Sequence, residues 1–357
     1  MAGTARHHLV PAWWERDKNI GDWRQHRGDR DEPAWLAAAY DDRTLVAQVG
    51  DLHADTAPDD STVPGAAPST SSSTLPSLVL RMFSVAGIEE GMKVLDLGTG
   101  SGYSSALLAR RLGDTQVVSV DVDPYLVTAA QRRLTAAGLA PKVAAIDALG
   151  DIPGHGFDAA VAMFSTRSIP ESWLCAVRPG GTISTTLKGT SLHLRVEVED
   201  EAHATGVVVS SEAHFMPARR GPDDGGALDQ VYQSARTAHG DETTNLAGDL
   251  PDLWKDWQLV LLLELLKPGI EHRSINLDDR SMVWLLHPSG SWARAEVPTS
   301  GPSIVHSSGP LDLWGQLERA RHLVAEHGPI DPASLRLEIN SGSQQIAWST
   351  AGLSLPL

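Results

Sequence analysis

Between residues 93 and 187, short apolar runs alternate with amphipathic stretches. "KVLDLG" (93–98), "QVVSVDV" (116–122), "KVAAID" (142–147), "FDAAVAMF" (157–164) and, after "RPGG", "TISTTL" (182–187) read as strands. "YSSALLARRLG" (103–113) reads as a helix stopped by Gly113, and "PYLVTAAQRRLTAAG" (124–138) as a helix opened by Pro124 and stopped by Gly138. This alternation predicts an α/β fold with a doubly wound, mainly parallel sheet and helices on both faces. Ligands of such a sheet bind at the carboxyl ends of its strands. After residue 189 the period becomes two, in "LHLRVEV" and "TGVVVS", as antiparallel strands closing the sheet would show.

The flanks follow other patterns. Residues 1–60, rich in Trp and charge, predict an N-terminal lobe with a helix in "EPAWLAAAYDD" and a strand in "TLVAQVG". "LPSLVLRMFSVAG" (75–87) has apolar residues at helical spacing, with Pro76 suited to the first turn. Before it runs "PSTSSST", which reads either as a flexible linker or as a working loop at that helix's N-terminal end. "GPDDGG" (221–226) marks a boundary. Beyond it a helix at 252–267, the hairpin "SMVWLLHPSGSWARAEV", the helix "LDLWGQLERARHLVAEHG" and strands around "NSGS" predict a separate α+β unit. The expected division is an N-terminal lobe (1–60), a core (61–220) and a C-terminal domain (221–357). Trp254, Trp257 and Trp292 of the last read as core residues.

Composition narrows the function classes. With 357 residues, 41% of them hydrophobic and 21% charged, the chain suits a globular protein with a sizeable core. Its formal charge of −16, with no concentrated basic run, argues against nucleic acid and anionic membranes as partners. "LVLLLELLK" (259–267), broken by Glu264 and Lys267, falls far short of the ~20 residues of a membrane span and reads as a buried helix. The single cysteine, Cys175, reads as a core residue and suits a reducing compartment. With no apolar stretch of signal-peptide length near the start, a cytoplasmic location is expected. Nothing in the pattern calls for a metal.

The chemistry concentrates at "VLDLGTGSGY", where a strand precedes Gly98, Gly100 and Gly102. Glycines at a strand-to-helix turn let the backbone pass close to a ligand, and the following helix N-terminus favours negative groups. A dinucleotide fingerprint would place another glycine at Tyr103, whereas Asp96, two residues before the first glycine, suits a cationic or amine-bearing ligand. This order resembles motif I of the S-adenosylmethionine (SAM) methyltransferases. The resemblance implies a Rossmann-like class I core that binds SAM through Asp96, Gly98, Thr99, Gly100 and Gly102 and releases S-adenosylhomocysteine. It also implies that Asp121, ending the second strand, accepts the ribose hydroxyls, that Val122 packs on the adenine, and that Asp147 meets the adenine amine. A structural alternative is that Asp96 only ties the loop, Asp121 only caps a helix, and Gly102 only packs.

The hydroxyl run extends the likeness. "SSSTLPSLV" lies one helix before motif I and resembles the Thr-Ile-Ser-x-Pro segment of the protein-L-isoaspartate O-methyltransferases, whose Ser contacts the substrate carboxylate. Counting back from Pro76 puts Thr74 at that Ser position, with Ser73 the neighbouring candidate and Ser72 a candidate substrate contact. Arg167, in "FSTRSIP", is a further candidate for an anionic peptide. The likeness covers roughly 40–220. The C-terminal residues resemble actinobacterial homologues that accompany lanthipeptide and ATP-grasp (graspetide) maturation. That resemblance implies methylation of an Asp in a modified ribosomal precursor peptide, giving an ester that cyclises to aspartimide. Repair of isoaspartyl proteins and a catalytically silent SAM-binding module are the alternatives.

Overall fold

The computed structural model describes residues 3–17, 21–65, 67–219, 226–246 and 249–357. Residues 221–225 of the expected boundary lie outside them. The chain divides into two compact units: Met1–Lys188 with Leu192–Pro222 and Ile339–Gly342, and Gly189–Ser191 with Asp223–Glu338 and Ser343–Leu357.

The first unit begins with α1 (Arg6–Leu9), followed by the strands β1 (Ala12–Arg16) and β2 (Trp23–Arg27). Next come α2 (Glu32–Tyr40), β3 (Leu45–Val49), β4 (Leu52–His53), β5 (Thr62–Val63) and β6 (Ser69–Ser73). The strands form one sheet in the order β4-β3-β1-β2-β5, with β6 on β3. Its core is Trp14, Trp23, Val49 and Ala54. Helix α2 starts where Asp31 accepts the Ala34 N–H at 3.0 Å, an N-cap. The sheet draws in the hydroxyl run itself: Leu45 faces Ser73, Val46 faces Ser72 and Gln48 faces Ser71. The run is therefore an edge-paired strand rather than the loop or linker expected, because β3 supplies partners for its backbone groups.

From β6 the chain turns directly into α3 (Pro76–Val85), with Pro at its first position. The alternating elements follow: β7 (Val94–Leu97), α4 (Tyr103–Leu112), β8 (Val117–Asp121), α5 (Pro124–Ala136) and β9 (Lys142–Ala145). Then come β10 (Phe157–Thr166), α6 (Glu171–Ala176), β11 (Val177–Leu187), β12 (His193–Val198) and β13 (Ala204–Ser210). They lie in the order β13-β12-β11-β10-β7-β8-β9. The pairs from β9 to β11 are parallel and the last two antiparallel, as the change of period predicts. Cys175 is exposed, contrary to expectation. On the short α6 the buried positions are Trp173, Leu174 and Ala176, so residue 175 falls on the outer face.

The second unit holds α7 (Gly226–Ala235), β14 (Glu242–Asn245), α8 (Trp257–Leu266), β15 (Glu271–Asn276), β16 (Arg280–Leu286), β17 (Trp292–Pro298), β18 (Ile304–Ser308) and α9 (Leu313–His327). The strands β19 (Leu335–Asn340), β20 (Ser343–Trp348) and β21 (Leu353–Pro356) end the chain. Strands β14 to β18 form an antiparallel sheet ordered β14-β18-β17-β16-β15. The apolar segment is the buried helix expected, and Glu264 within it accepts the Gly269 N–H at 3.2 Å. Trp292 is buried and Trp257 half-buried, but Trp254 is 67% exposed. Its indole N–H donates to Ser274 Oγ at 2.9 Å, so the ring lies along β15 instead of inside the sheet's core. Among the described residues no helix is long and apolar enough to cross a membrane.

Helix α3 rests on a buried polar pair: Ser184 Oγ lies 2.8 Å from His193 Nε2, and Ser184 also reaches Met82 Sδ at 3.8 Å. Burial holds the His193 imidazole down at about 4. Its neutral form is native, while the unfolded chain takes up a proton below about 6.5. Stability from this group is thus complete above about pH 6.5 and is lost as pH falls toward 4, by about 3 kcal/mol. Asp96, raised to about 6 by burial, acts in the opposite sense. We predict that urea unfolding followed from pH 7 to 4 loses this share of its acid sensitivity in His193→Gln.

Candidate active site

Strand β7 ends at Leu97, and the loop after it returns to α4 through three glycines at positive φ: Gly98 (95°), Gly100 (50°) and Gly102 (87°). An added Cβ at Gly98 would stand 3.0 Å from the Phe164 ring, and one at Gly100 would stand 3.3 Å from the Ser72 carbonyl oxygen. The loop is therefore clamped between β10 and the hydroxyl strand, and a side chain would close the space. At Gly102 an added Cβ would stand 3.3 Å from Ala130 of α5, so this glycine also allows close packing of the turn on that helix.

Asp96 is fully buried beneath the loop. Its Oδ2 accepts hydrogen bonds from Ser104 (2.9 Å), Ser105 (2.6 Å) and Ser119 (3.0 Å), while Oδ1 has no partner among the described residues. Desolvation pushes this carboxyl up to about 6 despite the three hydroxyls. A buried acceptor left open beside a glycine turn is a seat awaiting a donor. Thr99 extends the same network, its Oγ1 2.6 Å from Ser119 Oγ.

Asp121 ends β8 at the cleft, where its carboxylate accepts the Gly100 N–H (2.8 Å) and the Asp123 N–H (3.1 Å). Burial pushes its carboxyl up, while those two donors favour the charged form. It thus holds the glycine turn and still offers acceptor lone pairs to a ligand. Val122 and Asp147 line the same cleft, and Asp147 is fixed by the Leu149 N–H at 2.9 Å.

Phe164, Met163, Ala148 and Leu149 supply an apolar wall that the sequence pattern left unmarked. Trp173 of α6 sets it: its indole N–H donates to Ala148 O at 2.6 Å, and its ring lies edge-on to Phe164 at 5.9 Å. The segment His214–Arg219 forms another side of the cleft. There Arg219 reaches Gln48 Oε1 of β3 at 3.3 Å. Both contacts join residues far apart in sequence, so no local spacing announces them.

The hydroxyl strand completes the cleft. Ser72, Ser73 and Thr74 all line it. Ser73 Oγ accepts from Arg6 Nε at 3.4 Å, whereas the hydroxyls of Ser72 and Thr74 have no hydrogen-bond partner among the described residues. Arg167, half-buried after β10, is not among the residues lining this cleft. The structure thus brings Ser72, Ser73, Thr74, Gly98, Thr99, Gly100, Asp121, Val122 and Asp147 together and leaves Arg167 apart.

Residues 49–219 match the family model of protein-L-isoaspartate(D-aspartate) O-methyltransferase. The matched segment has the class I SAM methyltransferase fold. A protein-L-isoaspartate O-methyltransferase of Thermococcus onnurineus is 37% identical over 113 residues, covering 30% of this chain and 50% of that one. One from Rhizobium meliloti is 28% identical over 121 residues, covering 33% and 58%. The chain therefore spans about half the length of the curated relatives it matches. A ribosomal protein L11 methyltransferase of Ralstonia nicotianae is 37% identical over 103 residues, covering 27% of this chain and 32% of that one. A solved protein-L-isoaspartate O-methyltransferase aligns over 88% of both chains at 19% identity with a TM-score of 0.49.

The cofactor of this fold is S-adenosylmethionine, and the cleft fits it. The Cβ-free turn, the open Asp96 Oδ1 and the Asp121 carboxylate supply close backbone approach and acceptors for its amine and hydroxyl groups. We predict that Asp121→Ala weakens SAM binding by about 1.5–3 kcal/mol, the range for charge-assisted hydrogen bonds, as read by calorimetry.

Proposed function

We propose that the chain is a SAM-dependent carboxyl O-methyltransferase that methylates the isoaspartyl side of a peptide or protein substrate. The observation that supports this reading is the seat of the hydroxyl strand: the carbonyl of Ser72 lies against Gly100, and Thr74 lines the same cleft as the glycine turn. Bound SAM supplies an electrophilic methyl group on a sulfonium. The chain's part is then positional, since a carboxylate is already ionised at neutral pH and needs no base. It must be stripped of water and aimed, which suits neutral hydroxyl and backbone donors that hold it without a tight ion pair. Thr74 is the better acceptor-binding group because its hydroxyl is uncommitted, while that of Ser73 faces Arg6. The apolar wall of Met163 and Phe164 keeps water from the transfer.

The match to isoaspartate enzymes favours an isoaspartyl acceptor, the reaction used in protein repair. A second reading rests on the α+β unit of residues 223–338 and 343–357, which lies outside the matched segment. It would select one substrate, such as an Asp of a modified precursor peptide whose ester closes to aspartimide. Removing that unit at residue 222 would also remove Ile339–Gly342 of the first unit, so the two readings are best compared on the full chain. With methyl-labelled SAM, repair predicts turnover of generic isoaspartyl peptides, and precursor maturation predicts turnover of the modified precursor with little on generic peptides.

Thr74→Val keeps shape and β-branching but removes the donor, and methyl transfer should fall ~10²–10³-fold with SAM affinity unchanged. Thr74→Ser should stay active, and Ser73→Ala should cost less than Thr74→Val. A dead Ser73→Ala beside a normal Thr74→Val would reverse the assignment.

A further inference from the structure

Arg6 has no part in the reading above, yet it is 1% exposed and stands directly behind the hydroxyl strand. Its Nη1 donates to Ala39 O (3.1 Å) and Asp41 O (3.4 Å), and its Nη2 to Arg43 O (2.9 Å), Ser73 O (3.0 Å) and Thr74 O (3.2 Å). Nε reaches Ser73 Oγ at 3.4 Å. The guanidinium also lies 5.4 Å from the Tyr103 ring centroid. No carboxylate among the described residues pairs with it.

Burying a cation without a carboxylate partner is costly, and here six hydrogen bonds, five of them to backbone carbonyls, offset the cost. What the charge adds is a field toward the cleft. Three of the groups it touches, Ser73, Thr74 and Tyr103, line that cleft.

We infer that Arg6 is a positioning residue for the acceptor: its fork fixes the backbone that carries Thr74, and its charge further favours the ionised acceptor carboxylate without pairing with it. This inference rests on the carboxyl-methylation reading. A carboxylate reacts only when ionised, and a nearby cation favours the ionised form, so the bound acceptor should titrate below its free value. The other charged groups are Asp41, Asp42 and Arg43 around Arg6, and Asp121, Asp147, His214 and Arg219 at the cleft, with Tyr103 between. The aspartates oppose an anionic acceptor, so the shift reports the balance left by Arg6.

The test is the pH dependence of kcat on the full chain with an isoaspartyl peptide, with SAM affinity and the folded fraction at each pH read separately so that acid unfolding is divided out. In wild type the acid limb should lie about 0.5–1 pH unit below the free peptide's carboxyl pKa. Arg6→Gln should raise the limb to the free value or above and lower kcat/KM about tenfold or more, with SAM affinity within about twofold. Arg6→Lys, a point charge without the fork, should restore the limb but not the full rate. His214→Gln is run beside them to remove the cleft imidazole as a source of the limb. A wild-type limb at or above the free value overturns the inference without any variant. So does an Arg6→Gln enzyme with the wild-type limb and intact SAM binding, which would mark a purely structural role. Wild type that transfers methyl to no carboxyl peptide overturns the methylation reading itself, a separate failure.

Discussion

The Ser72 carbonyl oxygen stands 3.3 Å from where a Cβ on residue 100 would lie, and that closeness governs the site. It lets a strand of the N-terminal sheet press on the turn that follows β7. The glycine turn and the hydroxyl strand thereby become one surface, with Asp121 holding the turn through the Gly100 N–H and β3 holding the strand through its ladder. Any side chain at residue 100 would need a strained left-handed backbone as well as space that the carbonyl already occupies.

Charge of opposite sign lies on the two sides of the glycine turn. The carboxylates Asp96 and Asp121 lie under and beside the glycine turn, where a cofactor's cationic and hydroxyl groups would meet them. The buried cation Arg6 lies behind the hydroxyl strand. Further ion pairs tie the N-terminal sheet to the core, His53 to Asp123 at 3.2 Å and Arg133 to Asp55. The sheet is thus a working wall of the cleft and not an appendage. Its tryptophans pack in two clusters, Trp14 and Trp23 with Val49 and Ala54, and Trp13 with Val10, Ala38 and Leu45.

The parallel core was legible because each element carries its own signal. Strand ends at Leu97 and Asp121, the N-terminal proline of α5 at Pro124 and the stop at Gly113 follow from local period and from residues that set φ. The glycine turn and its flanking acids were legible for the same reason, since backbone approach to a ligand demands glycine at fixed offsets. The hydroxyl run was half legible: its chemistry was visible in composition, but its conformation was not. Ser-rich segments pair as strands only when a partner strand offers them a ladder, and that partner, β3, lies over twenty residues away.

What sequence alone determined is therefore the order of the core elements and the residue types at its strand ends, because both rest on interactions within a few residues. Tertiary structure alone decided which of those residues reach the cleft. Gly102 packs on α5, Cys175 faces solvent and Arg167 is not among the residues lining the cleft, while Phe164, Trp173, Arg219 and Arg6 joined it or its support. Those outcomes depend on contacts across 25 to 171 positions, such as Trp173 with Ala148 and Arg219 with Gln48. Such contacts leave no periodic trace, because the chain between the partners can vary without changing where they meet.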